Sequence, residues 1–203
     1  MINNYCCIYS GNNIVKNNVG VFGGGIRVGR NDIEGIVDGQ NDGISIHNNQ
    51  VAFNAGLDGP GGIAIYPGAD NYVIEDNLVC GNHTGSSGAG IGHIGLSDGG
   101  LIRGNTIIFN EAWHGTLAAS GGGIQVAGMA GQEIPEADVD ANPPMSPGSG
   151  DVTIDANLIQ GNSAGTGDGA GINLFSINGA DVEADPADSS TWWSVDIFNN
   201  IIV

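Results

Sequence analysis

The sequence is poor in basic residues. Its 203 residues contain 4 Lys and Arg against 22 Asp and Glu, which gives a net charge of −18 at pH 7. Binding to nucleic acid or to an anionic membrane needs a cluster of cations that neutralises phosphates. The four cations, Lys16, Arg27, Arg30 and Arg103, are scattered along the chain. We therefore expect neither nucleic acid nor an anionic membrane surface as a partner.

Cysteine, aromatic residues and long apolar runs are scarce as well. No apolar run approaches the roughly 18 residues that a membrane-spanning helix needs. Residues 1–4 do not begin the charged and then hydrophobic leader of a signal peptide. Cys6, Cys7 and Cys80 are too few, and odd in number, for a disulfide scaffold or a zinc site. We expect them to be small buried side chains, and the sequence leaves a disulfide open.

A repeated phrase organises the chain. It reads branched residue, two residues, Asn, one residue, branched residue, two residues, Asn. The clean copies are Ile46/Asn49/Val51/Asn54, Ile74/Asn77/Val79/Asn82, Ile102/Asn105/Ile107/Asn110 and Ile154/Asn157/Ile159/Asn162. Degenerate copies stand at Asn13/Val15/Asn18 and at Ile197/Asn200/Ile202. The first Asn recurs at steps of 36, 28, 28, 52 and 43 residues, so the basal unit is 28 residues long.

A second phrase, rich in glycine, alternates with the first. It leads into Ile-x-apolar, and its copies centre on Ile26, Ile63, Ile91, Ile124 and Ile172. Both phrases alternate with period 2 over a few residues, which is typical of short strands and not of helices. A unit of this length with about three short strands buries its branched residues only by coiling and stacking on its neighbours. The sequence therefore predicts an all-β fold, a parallel β-helix (β-solenoid) of about five to six coils, as a single domain over residues 1–203.

The two phrases predict different positions in such a coil. The isoleucines of the second phrase, and the residues two places on, should face inward; His93 is one of these. The repeated Asn residues should mark corners, because Asn and Gly tolerate left-handed backbone angles. Stacked Asn side chains would bond to the backbone and to one another along the axis.

The motifs also resemble those of a known group of proteins. Gly121-Gly122-Gly123-Ile124, with Val51-Ala52-Phe53-Asn54 and Ile107-Ile108-Phe109-Asn110, is similar to the Gly-Gly-Ala-Ile and Phe-x-x-Asn repeats of polymorphic outer-membrane and autotransporter-type passenger proteins. More broadly the chain resembles the pectin-lyase-like superfamily. The resemblance implies a right-handed β-helix and an extracellular or cell-surface location. It does not imply an activity, because that superfamily includes lyases, hydrolases, epimerases, phage spikes and adhesins.

Three insertions interrupt the repeat at one corner. They span residues 29–42, 129–150 and 176–191, whereas the same corner is short at 67–71 and 96–99. The insertions should therefore flank a groove over the middle coils. Acids with alternate spacing make two of them candidate calcium sites: Glu136, Asp138 and Asp140 in one, and Asp181, Glu183 and Asp185 in the other. The alternative is that these acids only form a solvated surface.

Catalytic groups are few. A polysaccharide lyase needs a base, and Arg27 and Arg103 are the candidates. The candidate acids are Glu75, Asp76 and Asp155, near Arg103 on neighbouring coils, and a solvated strand edge is their alternative interpretation. His47, His83 and His114 occupy different repeat positions, so we expect no metal site among the histidines. Trp113, Trp192 and Trp193 are candidates for stacking on sugar rings, or else they cover the core.

The leading hypothesis is a non-enzymatic, secreted or cell-surface β-solenoid, a stalk or adhesin-like passenger. Its acidic loop corner would bind calcium, a carbohydrate or another cell-surface ligand. The alternative is a carbohydrate-active enzyme of the polysaccharide lyase or epimerase type, with its site in the groove. A basic residue converging with three acids in that groove would favour the enzyme. Neither end of the chain carries a polar cap, so we expect a segment of a longer solenoid that self-associates through its uncapped ends.

Overall fold

The structure is a computed structural model that describes residues 9–29, 41–128, 148–178 and 187–203. These residues form short β-strands and one 3-10 turn at Ser189–Thr191. In chain order the strands are β1 (Tyr9–Gly11), β2 (Ile14–Lys16), β3 (Val19–Gly20), β4 (Ile26–Val28), β5 (Ser45–His47), β6 (Gln50–Ala52), β7 (Ala55–Gly56), β8 (Ile63–Ile65), β9 (Val73–Glu75), β10 (Leu78–Cys80), β11 (His83–Thr84), β12 (Ile91–Ile94), β13 (Gly100–Arg103), β14 (Thr106–Ile108), β15 (Glu111–Ala112), β16 (Ile124–Ala127), β17 (Val152–Asp155), β18 (Leu158–Gln160), β19 (Ser163–Ala164), β20 (Ile172–Phe175), β21 (Val195–Phe198) and β22 (Ile201–Ile202).

Four parallel sheets run along the molecule. Sheet 1 has the order β1-β5-β9-β13-β17-β21 and sheet 2 the order β2-β6-β10-β14-β18-β22. Sheet 3 is β3-β7-β11-β15-β19 and sheet 4 is β4-β8-β12-β16-β20. Each strand pairs with the equivalent strands one coil before and one coil after it, so each complete coil gives one strand to every sheet. The chain is a right-handed parallel β-helix, as predicted.

Each complete coil has four strands, where the sequence predicted about three. The additional strand lies in sheet 3 and is only two residues long, as in Ala55–Gly56 and His83–Thr84. Two residues show no readable alternation, so this sheet had no signal in the sequence.

The core is an axial stack of branched side chains. Ile63, Ile91 and Ile124 have no exposed surface and pair in register on β8, β12 and β16. Burying each such side chain contributes roughly 1.5–3 kcal/mol to folding. The predicted inward column weakens at the last described copy, where Ile172 is half-buried and Leu174 is 42% exposed.

Two ladders of Asn side chains follow the stack. In the first, the backbone N–H and the Nδ2 of each Asn donate to the Oδ1 of the Asn in the next coil, at 2.8–3.0 Å; its members are Asn13, Asn49, Asn77, Asn105, Asn157 and Asn200. The second has the same pattern at 2.9–3.1 Å; its members are Asn18, Asn54, Asn82, Asn110 and Asn162. Within the described ranges, no buried side-chain nitrogen or oxygen lacks a partner. The predicted stacking of the repeated Asn side chains is confirmed. The predicted left-handed angles at these Asn residues are wrong, because they lie one residue earlier, as at Asn48, Phe53 and Asp76.

Candidate functional site

The corner between sheet 4 and sheet 1 receives the insertions. The chain passes there from Val28 to Ser45, from Ala127 to Val152 and from Phe175 to Val195, but only from Ile65 to Val73 on a middle coil. The six predicted calcium ligands, Glu136, Asp138, Asp140, Asp181, Glu183 and Asp185, lie outside the described residues. Calcium binding by them stays a prediction.

A ladder of aspartates lies at this same corner. Asp42 Oδ1 accepts from the backbone N–H of Asp70 at 3.1 Å, and Asp70 Oδ1 accepts from that of Asp98 at 2.8 Å. The ladder continues with Asp98 accepting from Asp151 at 2.9 Å and Asp151 accepting from Ser194 at 2.7 Å. In the described part of the chain, no three His, Cys, Asp or Glu side chains are grouped to hold a metal ion. The aspartates therefore act as corner caps that join successive coils.

This Asp ladder was not predicted from the sequence. Asp42, Asp70 and Asp98 are spaced 28 residues apart, which equals the basal repeat and was the available signal. Asp151 follows the second insertion, so its place in the ladder could not be read from spacing.

The outward face of sheet 1 brings together four of the five predicted catalytic candidates. Glu75, Arg103 and Asp155 are in register at the ends of β9, β13 and β17, and Asp76 follows Glu75. Arg103 Nη2 lies 2.7 Å from Glu75 Oε2. Arg27 is elsewhere, on β4, with its guanidinium carbon 5.2 Å from the centre of the Tyr66 ring.

The chemistry of this charged patch does not suit a lyase. The hydrogen bond and charge of Glu75, followed by the charges of Asp155 and Asp76, raise the pKa of Arg103. The guanidinium therefore stays protonated and does not act as a base. Three carboxylates around one cation also leave the patch negative, which repels a uronate substrate. The patch lies at the ends of the sheet 1 strands, whereas the insertions join at their starts.

The outward face of sheet 4, over the middle coils, is covered by the chain itself. Ala64 is fully buried, Gln125 is 3% exposed, and a Cβ added at Gly92 would collide with Pro60. A second hydrophobic cluster lies on this side: Ala64, Tyr66, Ile94 and Ala127, with Phe22 packed against them. The positions of the insertions predicted a groove over these middle coils. The described residues on this face instead form a packed layer.

A buried polar network crosses the core. The ring of His93 has its Nδ1 2.8 Å from the Tyr72 hydroxyl and its Nε2 2.8 Å from the carbonyl oxygen of Ser149. A carbonyl only accepts, so Nε2 carries the proton and Nδ1 accepts from Tyr72. Burial lowers the pKa of His93 to about 4 and raises that of Tyr72. The prediction of a buried, satisfied histidine is confirmed, and the network ties sheet 4 to Ser149, near the end of the second insertion.

The other histidines occupy separate places. His47 Nδ1 is 3.1 Å from Asn48 Nδ2, and His114 Nδ1 accepts from the backbone N–H of Thr116 and Leu117 at 3.1 and 2.9 Å. His83 Nδ1 lies 3.6 Å from Glu111 Oε2. Each ring has its own local partner.

The three tryptophans differ in exposure. Trp193 is half-buried against Gly148, and its backbone N–H donates to Asn178 Oδ1 at 2.7 Å, which fits a covering role. Trp113 and Trp192 are 50% and 53% exposed. These two rings remain available for a ligand.

The outward side of sheet 3 carries further exposed aromatic rings. Phe53 and Phe109 are 60% and 61% exposed, at the corner that precedes the sheet. We name the surface formed with them the sheet-3 platform; its residues are Phe53, Leu57, His83, Phe109, Glu111 and Trp113. Sequence analysis singled out only Trp113 and His83 among these, because the two phenylalanines belong to the Asn phrase and were read as part of the repeat.

Comparisons of the chain with family models, with curated proteins and with solved structures returned no match. The class that fold and geometry define is therefore a right-handed parallel β-helix with stacked Asn and Asp ladders. No helix in the described ranges is long and apolar enough to cross a membrane.

Proposed function

We propose that this protein is a non-enzymatic β-solenoid of the stalk or adhesin-like passenger kind, secreted or at the cell surface. The carrying observation is the pair of Asn ladders that link every described coil to the next, together with the buried isoleucine stack. A solenoid of this kind is held by nearest-neighbour contacts and presents long side faces on a regular frame. Such a frame suits display and adhesion.

Membership of the pectin-lyase-like superfamily, and the extracellular location, belong to the proposal. They are supported by the glycine-rich and Asn-ending motifs and by the right-handed coil. The acidic insertion corner is proposed as a calcium-dependent contact region, because it carries acids at alternate positions on long loops.

The enzyme alternative has one observation in its favour, the convergence of Arg103 with Glu75, Asp76 and Asp155. We rank it second because Arg103 is engaged by Glu75 at 2.7 Å and its acidic neighbours raise its pKa, both of which disfavour its use as a base. The patch is also away from the insertion corner, so nothing described there encloses a substrate.

A turnover assay distinguishes the two functions. The purified chain is incubated with polygalacturonate and with alginate, with and without Ca²⁺, while unsaturated products are followed by ultraviolet absorbance and reducing ends are measured. The scaffold proposal predicts no release above a buffer blank. Product release that is lost in Arg103→Gln would establish the enzyme and overturn the scaffold.

A further inference from the structure

The sheet-3 platform has an alternating composition from coil to coil. Its outward positions fall in three columns, which are the corner before sheet 3, the strand itself and the residue after it. The corner column is Asn17, Phe53, Gly81, Phe109 and Gly161, the strand column is Val19, Ala55, His83, Glu111 and Ser163, and the last column is Val21, Leu57, Gly85, Trp113 and Gly165. From coil 2 onward, coils with bulky residues at both edges alternate with coils that have glycine at both edges.

The two phenylalanines occupy an unfavourable backbone conformation. Phe53 has φ 55° and Phe109 has φ 56°, in a column where Gly81 and Gly161 have φ 61°. A residue with a Cβ loses about 1–2 kcal/mol in this left-handed region, which glycine does not. Both residues are more than half exposed, so core burial is not what retains the rings. The left-handed backbone is shared by every described residue of this column, so what needs a reason is an aromatic side chain there in place of Asn or Gly.

The rings are seated on the glycines of the following coil. A Cβ added at Gly81 would lie 2.7 Å from Phe53, and one at Gly161 would lie 2.6 Å from Phe109. Trp113 has the same relation to Gly165, at 2.7 Å. One edge of each ring thus packs against the glycine of the next coil, while the rest of the ring stays open to solvent.

The spacing of the rings suits an extended chain of sugars. Phe53 and Phe109 are two coils apart, which is about 10 Å along the axis at the usual spacing of paired strands. Trp113 lies on the coil of Phe109, four residues on, which is up to about 13 Å across the sheet. The rings are therefore spread over a surface that several adjoining sugars would cover.

A polar pair lies between the rings. His83 and Glu111 are 3.6 Å apart and their side chains are 44% and 56% exposed. Apolar ring faces that flank a few hydrogen-bonding groups match a pyranose, which has C–H faces and peripheral hydroxyls. The strand column has no Lys or Arg, and the protein carries −18 overall, so an anionic polymer is repelled.

We propose that the sheet-3 platform binds a neutral polysaccharide, stacked on Phe53, Phe109 and Trp113 and hydrogen-bonded to His83 and Glu111. The inference rests on the scaffold function proposed above and names its ligand class and its location. It moves the binding face away from the insertion corner that the sequence favoured.

Affinity electrophoresis of the whole chain tests this. Native gels contain hydroxyethyl cellulose, galactomannan or dextran as neutral polymers, or polygalacturonate as an anionic one. The variants take residues that the chain itself uses in the same column: Phe53→Asn with Phe109→Asn as at Asn17, and Trp113→Leu as at Leu57. The matched control is Phe175→Ala, which removes a comparably exposed ring on β20 of sheet 4, outside the platform. A second pair, His83→Ala and Glu111→Ser, changes only the polar centre, and melting curves check that each variant folds.

The expected result is retardation by at least one neutral polymer, with affinity lowered tenfold or more in the ring variants and unchanged in Phe175→Ala. Retardation by no neutral polymer, retardation by polygalacturonate alone, or equal retardation of all variants would overturn the proposal. A concentration-dependent dimer that the Phe53→Asn/Phe109→Asn variant abolishes would also overturn it, in favour of a second copy as the occupant. Failure to bind any neutral polymer would overturn the platform proposal but not the scaffold function. Product release in the turnover assay would overturn the scaffold function, whatever the platform binds.

Discussion

Single residues at the corners decide how well the coils stack. The corner between sheets 1 and 2 is left-handed in every described coil, with φ between 53° and 64°. Its column is Asn12, Asn48, Asp76, Gly104, Ala156 and Asn199. All but Ala156 belong to the residue types that tolerate this conformation.

Ala156→Asn should therefore stabilise the protein. Alanine at φ 55° is disfavoured by about 1 kcal/mol relative to residues that accept the left-handed region, and the site is exposed, so the larger side chain meets no packing limit. Urea denaturation should show a free energy of unfolding higher by about 0.5–1 kcal/mol. The control Ala55→Asn, on strand β7, should give no gain; equal gains in both would contradict the corner explanation.

Asn105 is a representative inner member of the first ladder. Its Oδ1 accepts from both the backbone N–H and the Nδ2 of Asn77, and its own Nδ2 donates to Ile74 and Arg103 carbonyls and to Asn157. Asn105→Ala leaves buried donors and acceptors without partners, at roughly 2–5 kcal/mol for the group. Gln160→Ala, on an exposed strand position, should change the free energy of unfolding by less than about 0.5 kcal/mol. Similar values for the two would show that the ladder is dispensable.

At the scale of elements, periodicity predicted three of the four sheets. The alternating phrases showed sheets 1, 2 and 4, and the 28-residue step showed how they stack. Sheet 3 was missed because its strands are two residues long. The platform on sheet 3 was missed for a different reason. Outward corner positions are not constrained by burial, so the sequence shows no periodic pattern that would single out Phe53 and Phe109. Only their backbone angles and exposure distinguish them.

The network of His93 was predicted in part. Its inward position followed from the repeat, but its partner Ser149 lies near the end of a long insertion, and sequence spacing gives no register across such a gap. Because the network joins β12, Tyr72 before β9 and the segment at Ser149, it should couple protonation to the stability of the middle coils.

Stability should therefore fall as the pH drops from 6.5 toward 4. The pKa of His93 is lowered to about 4 by burial, while the unfolded chain binds its proton near pH 6.5. Between these values the unfolded state holds more protons, so the free energy of unfolding decreases with falling pH, by up to about 3 kcal/mol. Denaturation curves at several pH values should show this slope, and His93→Gln should flatten it; an unchanged slope in the variant would assign it to other groups.

In the whole molecule, the β-helix displays two candidate binding surfaces, the sheet-3 platform and the insertion corner. The platform and the insertion corner lie on different faces, so a polysaccharide and calcium would not compete. Calcium binding at the insertion corner depends on residues 129–147 and 179–186, which carry the six predicted ligands.

Calcium titration examines that corner. If Glu136, Asp138, Asp140 and their counterparts in the third insertion hold the ion, calorimetry should give a saturable heat, and melting curves should shift upward with Ca²⁺, because a ligand that binds only the folded state stabilises it. Asp138→Asn with Asp140→Asn should weaken both effects, whereas Asp58→Asn, an exposed acid elsewhere, should not. Absence of heat and of shift would leave the insertions as solvated surface.

Hydrogen exchange at the two Asn ladders shows whether the coils stack through Asn side chains, which each proposed function requires. The backbone amides of Asn49, Asn77 and Asn105 each donate to an Asn side chain one coil away. We expect these three amides to exchange together, only through global unfolding, and Asn105→Ala to expose the amide of Asn77 first. Exchange of all three at the rate of unprotected amides in the native protein would contradict the stacked ladder and the scaffold built on it.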